Sequence, residues 1–243
     1  MIFKDTWLTK QMLKWVYQLK EKNISKKYFL ESWKSFKKNH IDENYFVYSK
    51  INTSSVNTWQ CLEIADFKLV DTNIRFELNT SPNIELREKS NVKIVFAKKK
   101  HENAITDIAR NNFLFSRFHL DPLIDNQIAN QIKQNWVKNY FYDKRGDQMV
   151  LALLNNQPVG FLQLIVNESG FIIDLIGVDK IAQGKGIASS MILFAIKNLK
   201  RSCMKVGTQI GNIPSIKLYQ KLGFILTGSD YVFHYHNKWK LGT

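Results

Sequence analysis

The sequence predicts an α/β protein of the α+β kind, and three observations carry that prediction. An apolar strand, Phe171–Val178, runs through a loop with two glycines into a helix of small and apolar residues, Ile187–Leu199. From Asn91 to His236, short apolar runs bounded by turn residues are interspersed with segments of helical periodicity. No apolar run approaches the ~20 residues of a membrane span.

The 243 residues suit one large or two small domains with buried cores. Residues 1–39 read as helical and basic: Trp7, Leu8, Met12, Trp15, Val16 and Leu19 recur at helical spacing, as do Tyr28, Phe29, Trp33 and Phe36. That aromatic stripe is a packing face or an oligomer contact, and a homodimer is one expectation from it. A small α/β unit follows, with a strand near Tyr45–Ile51, a helix near Thr58–Ala65, and extended pieces at Phe67–Val70 and Ile74–Leu78. Thr80-Ser-Pro-Asn and the charged Glu85–Lys89 read as a linker. The domain boundary is therefore set at residue 90, giving residues 1–90 and 91–243.

The second domain opens with strand Val92–Ala97 and a helix near Glu102–Asn111, then a loop Phe115–Pro122. Helix Asp125–Tyr142 carries Ile128, Ile132, Trp136 and Tyr140 on one face. Strands Gln148–Leu154, Pro158–Val166 and Phe171–Val178 are separated by turns at Asn155-Asn-Gln-Pro and Asn167-Glu-Ser-Gly. After the glycine loop and its helix come strand Met204–Gln209, helix Ile213–Lys221, and strands Phe224–Thr227 and Tyr231–His236. Leu62-Glu-Ile-Ala-Asp-Phe67-Lys-Leu69 also aligns with Leu218-Tyr-Gln-Lys-Leu-Gly-Phe224-Ile-Leu226. The early unit thus reads as a degenerate copy of the later ending.

A net charge of +14 fits nucleic acid or a polyphosphorylated small ligand. The lysines are spread along the chain, and no recognition helix, zinc module or aromatic RNA-binding signature is present, so nucleic acid is not expected. Cys61 and Cys203 have no paired spacing and read as reduced and structural. With no signal-peptide pattern at Met1-Ile-Phe-Lys-Asp-Thr-Trp, a cytoplasmic protein without a membrane partner is expected.

The glycine loop is the strongest functional signal. A strand that delivers such a loop onto a helix head leaves backbone N–H groups unpaired at the positive end of the helix dipole, a ready anion site. Gly184 and Gly186 permit close approach and Lys185 adds charge. The spacing fits neither a P-loop nor a dinucleotide fingerprint. A second signal is Asn212-Ile-Pro-Ser215-Ile-Lys-Leu-Tyr219-Gln-Lys-Leu-Gly223-Phe224, where Asn212 is placed to cap a helix with Pro214 in its first turn.

Gln183-Gly-Lys-Gly186-Ile-Ala188 resembles the Gln/Arg-x-x-Gly-x-Gly/Ala pyrophosphate loop of the GNAT superfamily of acyl-CoA-dependent acyltransferases. Leu175-Ile-Gly-Val178 resembles that family's fourth strand, and Asn212 to Phe224 its characteristic ending. Lys180 departs from the pattern, where many members have Pro, so a looser turn is expected. The resemblance implies a GNAT fold, a mixed, mostly antiparallel twisted sheet flanked by helices, with acetyl-CoA as co-substrate. It assigns coenzyme contacts to Ile176, Val178, Gln183, Gly184, Lys185, Gly186, Ile187, Ala188, Ser189, Asn212, Ser215 and Tyr219.

Direct attack of an amine on a thioester needs a proton acceptor, a carbonyl donor and an acid for the leaving thiol, and no nucleophilic side chain. The family geometry makes Tyr219 the acid and the Val178 N–H the carbonyl donor. Phe115-Ser-Arg-Phe-His119, Val206 to Asn212 and Phe67 to Asp71 further resemble the TDP-fucosamine acetyltransferases, which acetylate an amino-deoxy sugar on a TDP carrier. That likeness implies a nucleotide-sugar substrate, Asp71 as general base, and Ser116, Arg117, Asp71 and Gln209 as substrate contacts. His234 and His236 share one strand face but lack a carboxylate at suitable spacing, so no metal is expected.

Overall fold

The computed structural model describes residues 1–20, 25–80, 92–168 and 170–237. The elements in chain order are β1 (Ile2–Lys4), α1 (Thr6–Met12), β2 (Trp15–Leu19), α2 (Lys26–Asn39), β3 (Tyr45–Asn52), α3 (Val56–Ile64) and β4 (Lys68–Asn79). They continue with β5 (Lys93–Phe96), α4 (Glu102–Asn111), α5 (Arg117–Leu120), α6 (Asn126–Lys138), β6 (Gln148–Leu154), β7 (Gln157–Asn167) and β8 (Gly170–Val178). The chain closes with α7 (Ile187–Leu199), β9 (Cys203–Gln209), α8 (Ile213–Lys221) and β10 (Ile225–His236).

Two compact units result, and a single cut near residue 90 does not separate them. One unit takes Met1–Ile74, Arg117–Ile128 and the chain from Gly228; the other takes Arg75–Ser116 and Ala129–Thr227. The cause is that β4 and β10 are each long enough to leave one unit and enter the other. The linker expected at residues 80–89 lies, beyond Thr80, outside the described residues.

In the first unit β2 runs parallel to β3, from Trp15↔Tyr45 to Leu19↔Ser49, and β10 is antiparallel to β3, from Asp230↔Asn52 to His236↔Phe46. The two-residue period of a strand gives this sheet two different faces. Tyr45, Val47, Ile51 and Phe233 bury against Phe29 and Trp33 of α2 and Cys61 and Leu62 of α3. The other face carries Phe46, Tyr48 and Lys50 opposite His236, His234 and Val232. Phe29, Trp33 and Phe36 of the α2 stripe thus form a packing face, while Tyr28 is exposed: the Trp33 ring centre lies 5.4 Å from that of Phe36, 5.0 Å from Phe67 and 4.9 Å from Tyr235.

The expected helix over Trp15–Leu19 is instead strand β2. The chain leaves α1 at Leu13, whose φ of 51° ends the helix, and Thr9 Oγ1 then accepts the Val16 N–H. Val16 and Leu19 are buried either way, so their spacing could not distinguish the two conformations. Likewise Phe67–Leu78 and Phe224–His236 were each expected as two strands, and each is one twelve-residue strand. The loop expected at Phe115–Pro122 contains the short helix α5.

The second unit holds β5, β6, β7 and β8 in successive antiparallel pairs, with β8 parallel to β9. Ile105, Ile108 and Ala109 of α4 pack with Val137 of α6 against Met149, Leu151, Phe161 and Leu175. The sheet is mixed and mostly antiparallel, with helices packed on it, as the resemblance implied.

The internal copy extends to backbone detail. Every boundary of α8 and β10 lies the same number of residues beyond its counterpart in α3 and β4. Both turns close alike: Phe67 and Phe224 donate to Leu62 and Tyr219 carbonyls, Ala65 and Leu222 to Cys61 and Leu218. The left-handed residue is Asp66 (φ 67°) in one turn and Gly223 (φ 85°) in the other. A Cβ in this conformation is strained by ~1 kcal/mol or more. Gly223→Ala should therefore lower the unfolding free energy by about 1 kcal/mol, and Asp66→Gly raise it by about 0.5–1 kcal/mol, both read from urea denaturation midpoints.

Candidate functional site

The second unit contains a cleft of about 560 Å³ where β8 and β9 part. Their parallel ladder runs from Phe171↔Met204 to Ile173↔Val206, and the residues after it on both strands line the cleft. A bulge sets this point, because the β7–β8 register passes from Leu164↔Ile173 to Gln163↔Leu175 and leaves Asp174 extra. Such a bulge re-aims a side chain and bends its strand. The Asp174 carboxylate accepts from Arg145 Nη2 (2.6 Å) and Nε (2.7 Å), Trp136 Nε1 (2.8 Å) and Gln163 Nε2 (3.0 Å).

The loop after β8 is held by its own hydrogen bonds. Asp179 Oδ1 accepts the Ile181 N–H, Gln183 Nε2 donates to the Val178 carbonyl, and Lys185 Nζ donates to the Ile181 carbonyl. The looser turn expected from Lys180 is not found: its N–H, which a proline would lack, donates to Asn112 Oδ1 at 3.1 Å. Gly184 and Gly186 both have positive φ, 76° and 77°, and nothing lies within 4 Å of where their Cβ atoms would stand. That open space faces the head of α7, whose first amides have no intrahelical acceptor and whose N-cap supplies no side chain.

Every residue assigned to the coenzyme lines this cleft except Lys185, whose ammonium is turned back on the loop. Ser116 and Gln209 line it as well. Asn212 Oδ1 caps α8 through the Ser215 N–H at 3.3 Å, and its Nδ2 reaches Thr208 Oγ1. Tyr219 is 2% exposed, beside Phe76 and Phe224, and burial pushes its phenol well above the usual range. Lys133, Phe113 and Asp174 also line the cleft and were not anticipated. Their contributions come from chain pairings that no local motif encodes.

Asp71 and Arg117 belong to the first unit. Asp71 is buried, one of its oxygens has no hydrogen-bond partner, and burial raises its pKa to about 6. The Arg117 guanidinium lies 3.8 Å from the Tyr48 ring centre, and Tyr48 donates to Asp5 Oδ2. Burial pushes the Tyr48 phenol up to about 12. In the same unit the carboxylate missing near His234 and His236 is supplied by Asp121: its Oδ2 lies 2.6 Å from His234 Nδ1 and 2.9 Å from His236 Nε2.

Comparison with known proteins agrees with this geometry. The acetyltransferase (GNAT) family matches residues 105–224. This segment is a GNAT acetyltransferase domain. Members of the family use acetyl-CoA as co-substrate, and the orphan amides and open glycine cradle of the cleft suit its diphosphate. A curated relative, the spore coat polysaccharide biosynthesis protein SpsD of Bacillus subtilis (strain 168), is 32% identical over 134 residues. That alignment is 54% of this chain and 46% of SpsD, so it spans about half the length of each.

Solved structures resemble most of the chain. A conserved protein of unknown function from Staphylococcus epidermidis ATCC 12228 has a TM-score of 0.64 at 18% identity, covering 91% of this chain and 83% of that one. A GCN5-related N-acetyltransferase from Sphaerobacter thermophilus has a TM-score of 0.68 at 12% identity, covering 100% and 78%. A tandem GNAT protein from the clavulanic acid biosynthesis pathway has 0.61 at 7%, covering 93% and 76%. At these identities the likeness is one of fold.

The GNAT cleft makes one stability test. Asp174→Asn keeps the shape but removes the charge that Arg145, Trp136 and Gln163 converge on. It should lower the unfolding free energy by about 2 kcal/mol, seen as a reduced urea midpoint at unchanged slope.

Proposed function

We propose that the chain is an acetyl-CoA-dependent N-acetyltransferase acting on the amine of a nucleotide-linked amino-deoxy sugar, with dTDP as the carrier, by direct attack in a ternary complex. The observation that carries the acetyl-transfer reading is the cleft, with glycine loop, orphan amides and buried phenol on its walls. The sugar reading is supported by the likeness to SpsD, named for polysaccharide biosynthesis.

When bound, acetyl-CoA supplies the activated acyl group. The head of α7 holds its diphosphate through the first amides of the helix, and Lys185 contributes only background charge. The backbone N–H of Val178, on the parted end of β8, is assigned to the acyl oxygen. Tyr219 donates its phenolic hydrogen toward the departing sulfur. Asp71 is assigned as proton acceptor, because a carboxyl with a pKa near 6 and an unpartnered oxygen is ionised yet basic at neutral pH. Arg117, Ser116 and Gln209 are the proposed contacts for the nucleotide sugar.

A cytoplasmic location follows from such a substrate. The test is turnover of a dTDP-4-amino-4,6-dideoxyhexose with acetyl-CoA, followed by thiol release. Silence with dTDP- and UDP-amino sugars, alongside turnover of a peptide or polyamine, would assign another acceptor. Coenzyme binding without any turnover would leave a coenzyme-binding module.

Two variants examine the residue roles. Tyr219→Phe should reduce kcat by about 10²-fold with little change in KM for acetyl-CoA. Because Asp71 must be unprotonated to act, kcat/KM should rise with pH through about 6, and Asp71→Asn should remove that limb from the pH profile.

A further inference from the structure

A second constellation lies wholly within the first unit and takes no part in the reaction above. Lys14 Nζ stands 3.2 Å from His236 Nδ1, and His236 Nε2 stands 2.9 Å from Asp121 Oδ2. A lysine nitrogen beside an imidazole donates, so Nδ1 accepts and Nε2 must carry the hydrogen that Asp121 receives. Asp121 is buried and receives the His234 N–H as well, so its carboxylate is fixed in direction. Burial alone would raise the Asp121 pKa, but the bonds from the two rings outweigh it and hold the carboxyl below the usual range. Nucleophile, base and orienting carboxylate are in the order that activates serine, cysteine or amine nucleophiles elsewhere.

We propose that Lys14 is an activated amine and a site of covalent acylation by thioesters, with His236 as its base and Asp121 as the group that orients His236. The Lys14 nitrogen forms a bond to the acyl carbon while the carbon–sulfur bond breaks. His236 Nδ1 takes the proton shed by the amine, Asp121 faces the imidazolium formed, and the departing thiolate recovers the proton as thiol. The products are an amide on Lys14 and a free thiol, so atoms and charge balance. Lys14 is half-buried, which leaves it reachable, and burial lowers its pKa against the opposing pull of Asp121, enlarging the neutral fraction.

The test uses the full chain with the acetyl thioester of N-acetylcysteamine, a donor without nucleotide. Failure of the coenzyme reading therefore leaves this proposal standing, and the reverse holds too. Peptide mass spectrometry compares the acetylation rate of Lys14 with that of the exposed Lys20. Lys14 should react about 10²-fold faster, and His236→Gln, checked for folding by circular dichroism, should bring it down to the Lys20 rate. Lys14→Arg should remove the modified peptide. Equal rates at Lys14 and Lys20 in the wild-type chain would overturn the proposal, whether or not the variant folds. So would a folded His236→Gln variant with an unchanged rate. Stoichiometric zinc in the purified protein, lost on His236→Gln, would overturn it as well, since a coordinating Nε2 cannot also hold the hydrogen.

Discussion

The cleft depends on the anchoring of one extra residue. Asp174 has no partner opposite it on β7, and its carboxylate is instead the convergence point for Arg145, Trp136 and Gln163. A buried carboxylate needs several donors to offset its lost hydration, and here three side chains from α6, β7 and the turn before β6 supply them. While that anchor holds, β8 cannot revert to regular pairing with β7. The β8–β9 ladder ends beside the bulge, and the freed ends of the two strands become walls. The cleft is thus opened by a fault in a sheet rather than by a loop between elements.

The same economy governs the head of α7. Within the loop after β8, side chains and amides are engaged with one another: Asp179 with Ile181, Gln183 with Val178, Lys185 with Ile181 and Asn112 with Lys180. The N-terminal amides of α7 stand apart from that set. An anion meeting them finds donors already ordered, so little conformational entropy is lost on binding. This also explains why the overall positive charge is a poor guide to the site. Lys185, the cation that the motif places closest, is turned away, and what the head of α7 offers an anion is neutral backbone dipoles.

Much of this was legible in residue patterns, and the failures have physical causes. The bounds of α4, β6 and α8 follow from apolar periodicity and, for α8, from the Asn212 cap. The glycine loop is legible because its requirement is local, positive φ twice within three residues. Strand β2 was not, since Trp15–Leu19 pairs with a partner thirty positions later and its apolar spacing fits a helix equally well. Asp121 was invisible beside His234 and His236 because more than a hundred residues separate them and only the fold joins them. The two similar segments show where their likeness lies. Turn hydrogen bonds and element lengths persist, while Ser55, Leu62 and Asp66 occupy the places of Asn212, Tyr219 and Gly223. The backbone frame is common to both because packing and hydrogen bonding demand it, while the side chains at these three places differ.

The burial of Tyr219 bears on whether a phenol can serve as the acid at all. In water a phenol near pKa ~10 is a slightly weaker acid than a thiol near ~8.5, so protonating a thiolate is modestly uphill. Burial raises the Tyr219 pKa well beyond that, which looks like a handicap. Yet desolvation disfavours every anion in the same enclosure, and a thiolate formed there would be raised for the same reason. What decides the proton's position is the difference between the two, which shared burial leaves nearly intact. A deeply placed phenol then has one advantage over an exposed one: at any working pH it is fully protonated and its hydrogen is available to the sulfur.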